Sequence, residues 1–305
     1  MTKYPLSNLP HSIKQRLLNF SQRELEDPNH TFTRFAIERF LYRLGNSKHA
    51  EKFVLKGAML FAVWSRRPHR PTKDLDLLGY GHWTQEALKD IITDICQTQV
   101  PPDGLTYDVE SIRVSDIRED QDYLGNRVEL VARLGKSPIK IQVDIGLGDA
   151  VIPRPTKIVY PTLLDMPAPT ILAYSHEVVI AEKLHAMVVR GITNSRMKDY
   201  FDIYILMQQF VFDGERLTDA IKATFSRRGT LIPADAPIAI TDLFSDRPEK
   251  IVQWNAFLRR SRLANTPLAL GDIVNALREF LLPVLTAIAN NKSFTAQWNY
   301  SEKWT

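Results

Sequence analysis

Hydrophobic positions recur every three to four residues through "SIKQRLLNFSQRE" and "TFTRFAIERFLYRLG", and this period predicts two amphipathic helices between residues 10 and 45. Gly45 stands where the second helix would end. The next segment, "AEKFVLKGAMLFAVW" at 50–64, is apolar on most sides and reads as a largely buried helix with "KGAM" near its start. After a basic loop, "SRRPHRPTK", the pattern shortens to a two-residue alternation in "DLDLLG", a strand, followed by a helix from Gln85 to Cys96. "TYDVESIRV", "NRVELVARL" and "PIKIQVDIGLGD" then alternate strictly, with turn residues between them, and predict three antiparallel strands. In the last of these Ile139, Ile141, Val143, Ile145 and Leu147 share one face, and Lys140, Gln142 and Asp144 share the other. The proline-rich "VIPRPTKIVYPTLLDMPAPTI" breaks the pattern and reads as a linker. Helical periodicity then resumes almost to the end. The expected division is therefore a mixed α+β part over 1–165 and a helical domain over 166–305.

Composition narrows the class. The chain has 305 residues, 44% hydrophobic and 24% charged, ordinary values for a globular protein. Its apolar runs are short of a membrane span, and "MTKYPLSNLPHSIKQRLLNF" has no continuous apolar core, so no membrane association and a cytoplasmic location are expected. A single cysteine, Cys96, excludes an internal disulfide and a cysteine-based zinc site. The seven histidines lack zinc-ligand spacing, and no phosphate-loop, dinucleotide or serine-hydrolase motif is present. The net charge of +4 permits a polyanionic partner without requiring one.

The candidate chemistry begins at Asp74 and Asp76. Two positions apart on a strand, they project to the same side with alpha carbons about 7 Å apart, a spacing that suits a shared divalent cation and equally a solvated strand face. Asp144, on the polar side of its own strand, is the candidate third carboxylate. On the apolar helix 177–190, Lys183 and Arg190 fall within about 20° of each other among buried-type neighbours, while His185 faces away. Either their charged ends reach water along apolar stems, or a phosphate or carboxylate cluster meets them. Asp199 and Asp202 share one face of the following helix. Lys198 and Asp202 could form a surface pair, and Asp199 could hold Lys183 toward a phosphate. Arg66, Arg67, His69, Arg70 and Lys73 form either a solvated loop or a clamp for triphosphate or RNA. "SRRG" and "LRRSR" are further basic segments open to RNA or a partner.

Taken in order, "LKGAMLFAVWSRRPHRPTKDLDLL", the carboxylate strand and "EVVIAEKLHAMVVRGITNSRMKDYFDIYIL" resemble the AbiEii/AbiGii nucleotidyltransferase toxin family, which includes the MenT-type toxins, over residues 50–210. The linked elements are K-G-small, a basic loop, T-x-D-L-D-L, E-K-L-x-A and K-D-x-x-D. The resemblance implies a nucleotidyltransferase core of the DNA polymerase beta type, a mixed sheet with flanking helices, followed by the helical domain. It implies a toxin restrained by an antitoxin, an NTP substrate, magnesium or manganese as cofactor, and the 3′ acceptor end of tRNA, or another RNA, as target. Asp74 and Asp76 match the metal pair, Lys183 the family lysine and Asp199 the aspartate after it; Asp144 is a looser match as third ligand. Gly57 and Ala58 match the turn beneath the triphosphate, although Ala58 stands where members carry Gly or Ser; Thr72 matches the residue before the pair. The resemblance leaves a small-molecule or protein acceptor, a metal-dependent nuclease and a non-catalytic binding module as competing readings. In all the enzyme readings Asp76 and its neighbours serve one ion, opposite the ammonium of Lys183.

Overall fold

The computed structural model describes residues 8–65, 72, 74–117, 125–263 and 268–305. The chain divides into two compact units. The first comprises residues 1–148 and 156–174, and the second residues 149–155 and 175–305.

The first unit is a seven-stranded mixed sheet with helices. Its elements are α1 (Leu9–Arg23), α2 (Pro28–Asn46), β1 (Phe53–Lys56), the short α3 (Phe61–Trp64), β2 (Asp74–Gly79), α4 (Gln85–Gln97), β3 (Leu105–Asp116), β4 (Gly125–Leu134), β5 (Ser137–Leu147), β6 (Thr156–Val159) and β7 (Thr170–Ala173). The strand order is β3-β4-β5-β2-β1-β7-β6. β2 runs parallel to β5 and β1 parallel to β7, and the other neighbours are antiparallel. Ile139, Ile141, Val143 and Ile145 of β5 are buried together with Val128, Leu130 and Ala132 of β4. α1 packs on β4, α2 on β5 and α4 on β3. The helix starts follow local chemistry: Asp27 accepts the amide of Asn29 ahead of Pro28, and Thr84 accepts the amide of Ala87.

Three expectations change here. Residues 50–64 do not form one helix: Phe53–Lys56 is a strand, and Gly57–Leu60 a 3-10 turn leading into α3. β1 lies between β2 and β7 and all four of its residues are buried. A strand covered on both faces loses its alternation and reads like a buried helix. Gly45 does not end α2, which continues to Asn46; a Cβ there would overlap the carbonyl oxygen of Thr170, so glycine permits β7 to approach the helix. The proline-rich segment is no simple linker, because it supplies the β6–β7 hairpin at one edge of the sheet. Its prolines flank these strands, and an edge tolerates the missing donors.

The second unit is mainly helical: α5 (His176–Arg190), α6 (Met197–Gln209), β8 (Phe212–Asp213), α7 (Gly214–Arg227), the short α8 (Asp242–Ser245), α9 (Pro248–Arg260), α10 (Leu270–Ala289), β9 (Gln297–Asn299) and β10 (Lys303–Trp304). α5 packs on α6 and α7, and α10 on the same two helices. The chain end forms a three-stranded sheet with β8, which periodicity did not reveal because its strands are only two or three residues long. Trp298 anchors it, fully buried, with its indole N–H donated to the Met207 carbonyl at 2.8 Å. No helix among the described residues is long and apolar enough to cross a membrane.

Candidate active site

On β2, Leu75 and Leu77 are buried, while Asp74 is exposed and Asp76 half-buried on the opposite side. The register of β5 sets Asp144 beside Asp76 and Gln142 beside Asp74. The register of β4 sets Arg127 beside Asp144 and Glu129 beside Gln142. Directly opposed residues of neighbouring strands project to the same face. Arg127, Asp144 and Asp76 therefore make one row across three strands, and β1 extends it with Lys56, which pairs in register with Asp76. Two cations flank two carboxylates.

Sequence reasoning missed both of these cations. Lys56 falls in a segment whose pattern reads as a helix, where its relation to Asp76 is invisible; it is 7% exposed, with its ammonium 5.7 Å from the Tyr174 ring centre. Arg127 was signalled by the alternation of "NRVELVARL", which puts it on the polar side. Its guanidinium donates from Nε to Asp144 Oδ1 at 2.9 Å and from Nη2 to Oδ2 at 2.8 Å. Gln142 adds contacts of 3.3 Å to both oxygens. Among the described residues no three acidic, histidine or cysteine side chains are grouped to hold a metal ion. Asp144 is level with Asp76 in the sheet, but its carboxylate is engaged by β4.

Gly57 follows β1 with φ +70°, a left-handed conformation that favours glycine. A Cβ at that position would overlap the Asp76 carboxylate. The glycine thus does two things: it turns the chain from β1 into the 3-10 segment that holds Ala58, and it leaves Asp76 its space. Thr72 is half-buried, and its carbonyl accepts a hydrogen bond from His30 Nε2 at 2.9 Å, tying the approach to β2 to the start of α2. Arg66, Arg67, His69, Arg70 and Lys73 lie outside the described residues. A cleft of about 600 Å³ opens beside Asp74, between Phe32 and Thr33 of α2 and Arg113, Glu129 and Gln142 of the sheet. That volume lies in the range of small-ligand sites.

In the second unit Lys183 donates to Asp199 Oδ1 at 2.7 Å and to Asp202 Oδ2 at 2.8 Å, and Arg196 Nε donates to Asp199 Oδ2 at 2.6 Å. Asp199 and Asp202 are 1% and 0% exposed. The two buried carboxylates are met by the nearly buried Lys183 and by Arg196, whose side chain is one-third exposed, as carboxylate burial requires. The expected pairing of Lys183 with Asp199 is present. Asp202 is an interior partner of the same ammonium, because the three-residue spacing turns both aspartates to the inner side of α6. Burial acts to raise the Asp199 carboxyl, and Lys183 and Arg196 outweigh it, holding the group below its ordinary range. The turn before α6 is braced by Lys250, which donates to the Asn194 carbonyl at 2.9 Å, and by Asn194 Oδ1, which accepts the Arg196 amide at 3.0 Å. Arg190 lies in the last turn of α5, half-exposed.

His185 faces another direction, with Nε2 2.8 Å from Thr230 Oγ1 and Nδ1 3.2 Å from Arg228 Nη1. Burial and then the Arg228 charge push its pKa down to about 4. Arg228, from the "SRRG" segment, also donates to Asp149 at 3.0 Å and so serves the interior of this unit. Arg259, Arg260 and Arg262 of "LRRSR" are exposed at the end of α9.

A mixed sheet with carboxylates abreast on one polar face, flanked by helices, is an arrangement suited to phosphoryl or nucleotidyl transfer. Sequence comparison makes the class definite. The family described as nucleotidyl transferase AbiEii toxin, of a type IV toxin–antitoxin system, matches residues 39–281, and the chain belongs to that family. It is accordingly an enzyme of the nucleotidyltransferase class. Two crystal structures are similar in part. JHP933 from Helicobacter pylori aligns at 15% identity over 84% of this chain and 88% of its own, with a TM-score of 0.45. A structure described as a putative nucleotidyltransferase from H. pylori aligns at 15% identity over 86% of this chain and 92% of its own, with a TM-score of 0.46. No curated protein sequence matches the chain.

Proposed function

We propose that this toxin uses a divalent cation to move a nucleoside monophosphate from an NTP to the 3′ acceptor end of tRNA, blocking translation until its antitoxin restrains it. The observation that carries the reading is the placement of Asp74 and Asp76 on the open side of β2, with Gly57 leaving the Asp76 carboxylate its space. Their oxygen-only donor set fits magnesium or manganese, which take hard oxygen ligands and retain several waters. When bound, such an ion neutralises triphosphate charge and activates an attacking hydroxyl. Asp144, the expected third ligand, has its carboxylate held by Arg127.

The remaining tasks fall to the chain's own groups. The Gly57–Ala58 turn lets the backbone approach phosphate, and Thr72 leads into the metal pair. Lys183 holds phosphate oxygens as a point charge with Asp199 orienting it, and Arg190 adds a second cation on the same helix. The cleft beside Asp74 supports this reading by its size and by its position next to that carboxylate. A tRNA substrate places the enzyme in the cytoplasm. The test is incubation of the purified protein with each labelled NTP, magnesium and total RNA. Label at the 3′ end of tRNA is expected. Label confined to protein or small molecules moves the acceptor class, and RNA shortening without NTP replaces the reaction by hydrolysis.

A further inference from the structure

Asp144 stands level with Asp76, yet its two oxygens are taken by a different strand. Arg127 grips them in a two-point fork at 2.9 and 2.8 Å, and Gln142 reaches both at 3.3 Å. The pair is half-exposed rather than sealed, with side-chain exposures of 37% for Arg127 and 20% for Asp144. Bidentate arginine–carboxylate pairs are the geometrically specific kind, and they fix the plane of the guanidinium. Magnesium needs only one or two protein carboxylates beside waters and substrate phosphates, so Asp74 and Asp76 suffice as its ligands.

We propose that Asp144 is a positioning residue: it holds Arg127 on the carboxylate face as a fixed cation for the phosphates of the nucleotide, and the divalent ion is bound by Asp74 and Asp76 without it. The inference rests on the functional reading above and deepens it. Arg127 is two strands from Asp76 in the same row, about 10 Å between alpha carbons at the usual strand spacing, within reach of a phosphate chain held by an ion at Asp76. The fork to Asp144 fixes the guanidinium plane while the Arg127 side chain stays 37% exposed, so holding the carboxylate and contacting a phosphate are compatible. With its charge already met by Arg127, Asp144 offers little attraction to a second cation and does not repel the incoming triphosphate as a bare carboxylate would.

The experiment separates metal binding from phosphate binding in the full chain. Mn²⁺ alone, and inorganic tripolyphosphate at saturating Mg²⁺, are titrated into the wild type and into Asp76→Asn, Asp144→Asn, Arg127→Gln and the Asp144→Asn/Arg127→Gln double variant. Asp144→Asn should keep the Mn²⁺ affinity within about twofold, whereas Asp76→Asn should lose at least about tenfold. Tripolyphosphate binding should weaken about tenfold in Arg127→Gln, the scale of a lost charge-assisted hydrogen bond. It should weaken in Asp144→Asn as well, and the double variant should be no worse than Arg127→Gln. Loss of Mn²⁺ by Asp144→Asn to the same degree as by Asp76→Asn would make Asp144 a metal ligand and overturn the inference while leaving the enzyme reading intact. Unchanged tripolyphosphate binding by Arg127→Gln, whose substitution lies on a half-exposed face, overturns it even if Asp144→Asn fails to fold. A wild type that binds neither probe takes down the functional reading and this inference together.

Discussion

The first unit and the second both bring aspartates and basic side chains together, but in opposite surroundings. On the sheet, Asp74 is exposed, Asp76 half-buried and the Arg127–Asp144 pair open to solvent. Under α5 and α6, the two aspartates around Lys183 are sealed from water. An exposed or half-exposed charge contributes little to folding. A charge in the sealed set is a structural commitment, because removing one member strands another in a low-dielectric interior. The same alanine substitution should therefore leave stability nearly unchanged on the sheet face and lower it in the sealed set.

The comparison can be broken most directly at Lys183. Lys183→Ala should cost about 3–5 kcal/mol in chemical denaturation, because Asp199 and Asp202 lose their shared ammonium. A variant of near-normal stability would mean that the cluster is not structural. Asp76→Asn should do the reverse: nucleotidyl transfer falls by at least about a hundredfold, the scale of losing a group that stabilises transition-state charge, with an unchanged melting temperature. Gly57→Ala sits between these outcomes. The left-handed backbone costs an alanine about 1–2 kcal/mol, and the new methyl displaces the Asp76 carboxylate, so a modest fall in stability should accompany a clear loss of transfer activity. The smallest effect is on the pH profile. Asp199 is held below its ordinary value of 3.8, so the stability it gains from Lys183 and Arg196 is complete above that value and is lost as pH falls through the depressed one. Acid unfolding curves should therefore be steeper for the wild type than for Asp199→Asn in that window.

Several of these features were readable before any coordinates. The alternation of "DLDLLG" and "PIKIQVDIGLGD" put Asp74 and Asp76 on one face and Asp144 on the polar side of its strand, and the structure has that arrangement. The three-residue spacing of Asp199 and Asp202 put them on one side of α6. Lys56 and Arg127 were unread for different reasons. The first is in a central strand, whose doubly covered pattern imitates a helix. The second belongs to a clean strand, but nothing local distinguishes a solvated arginine from one that grips a carboxylate across the sheet.

The sequence by itself determined the periodicities, the residue types on each face and the motif order that marks the family, because these depend on neighbours a few positions apart. Only the tertiary structure decided which faces meet. The parallel register of β2 and β5 brings Asp76 beside Asp144, the antiparallel register of β4 and β5 gives Asp144 to Arg127, and helix packing surrounds Lys183 with two aspartates. Partners such as these are set by contacts between residues far apart in the chain, which no local period records.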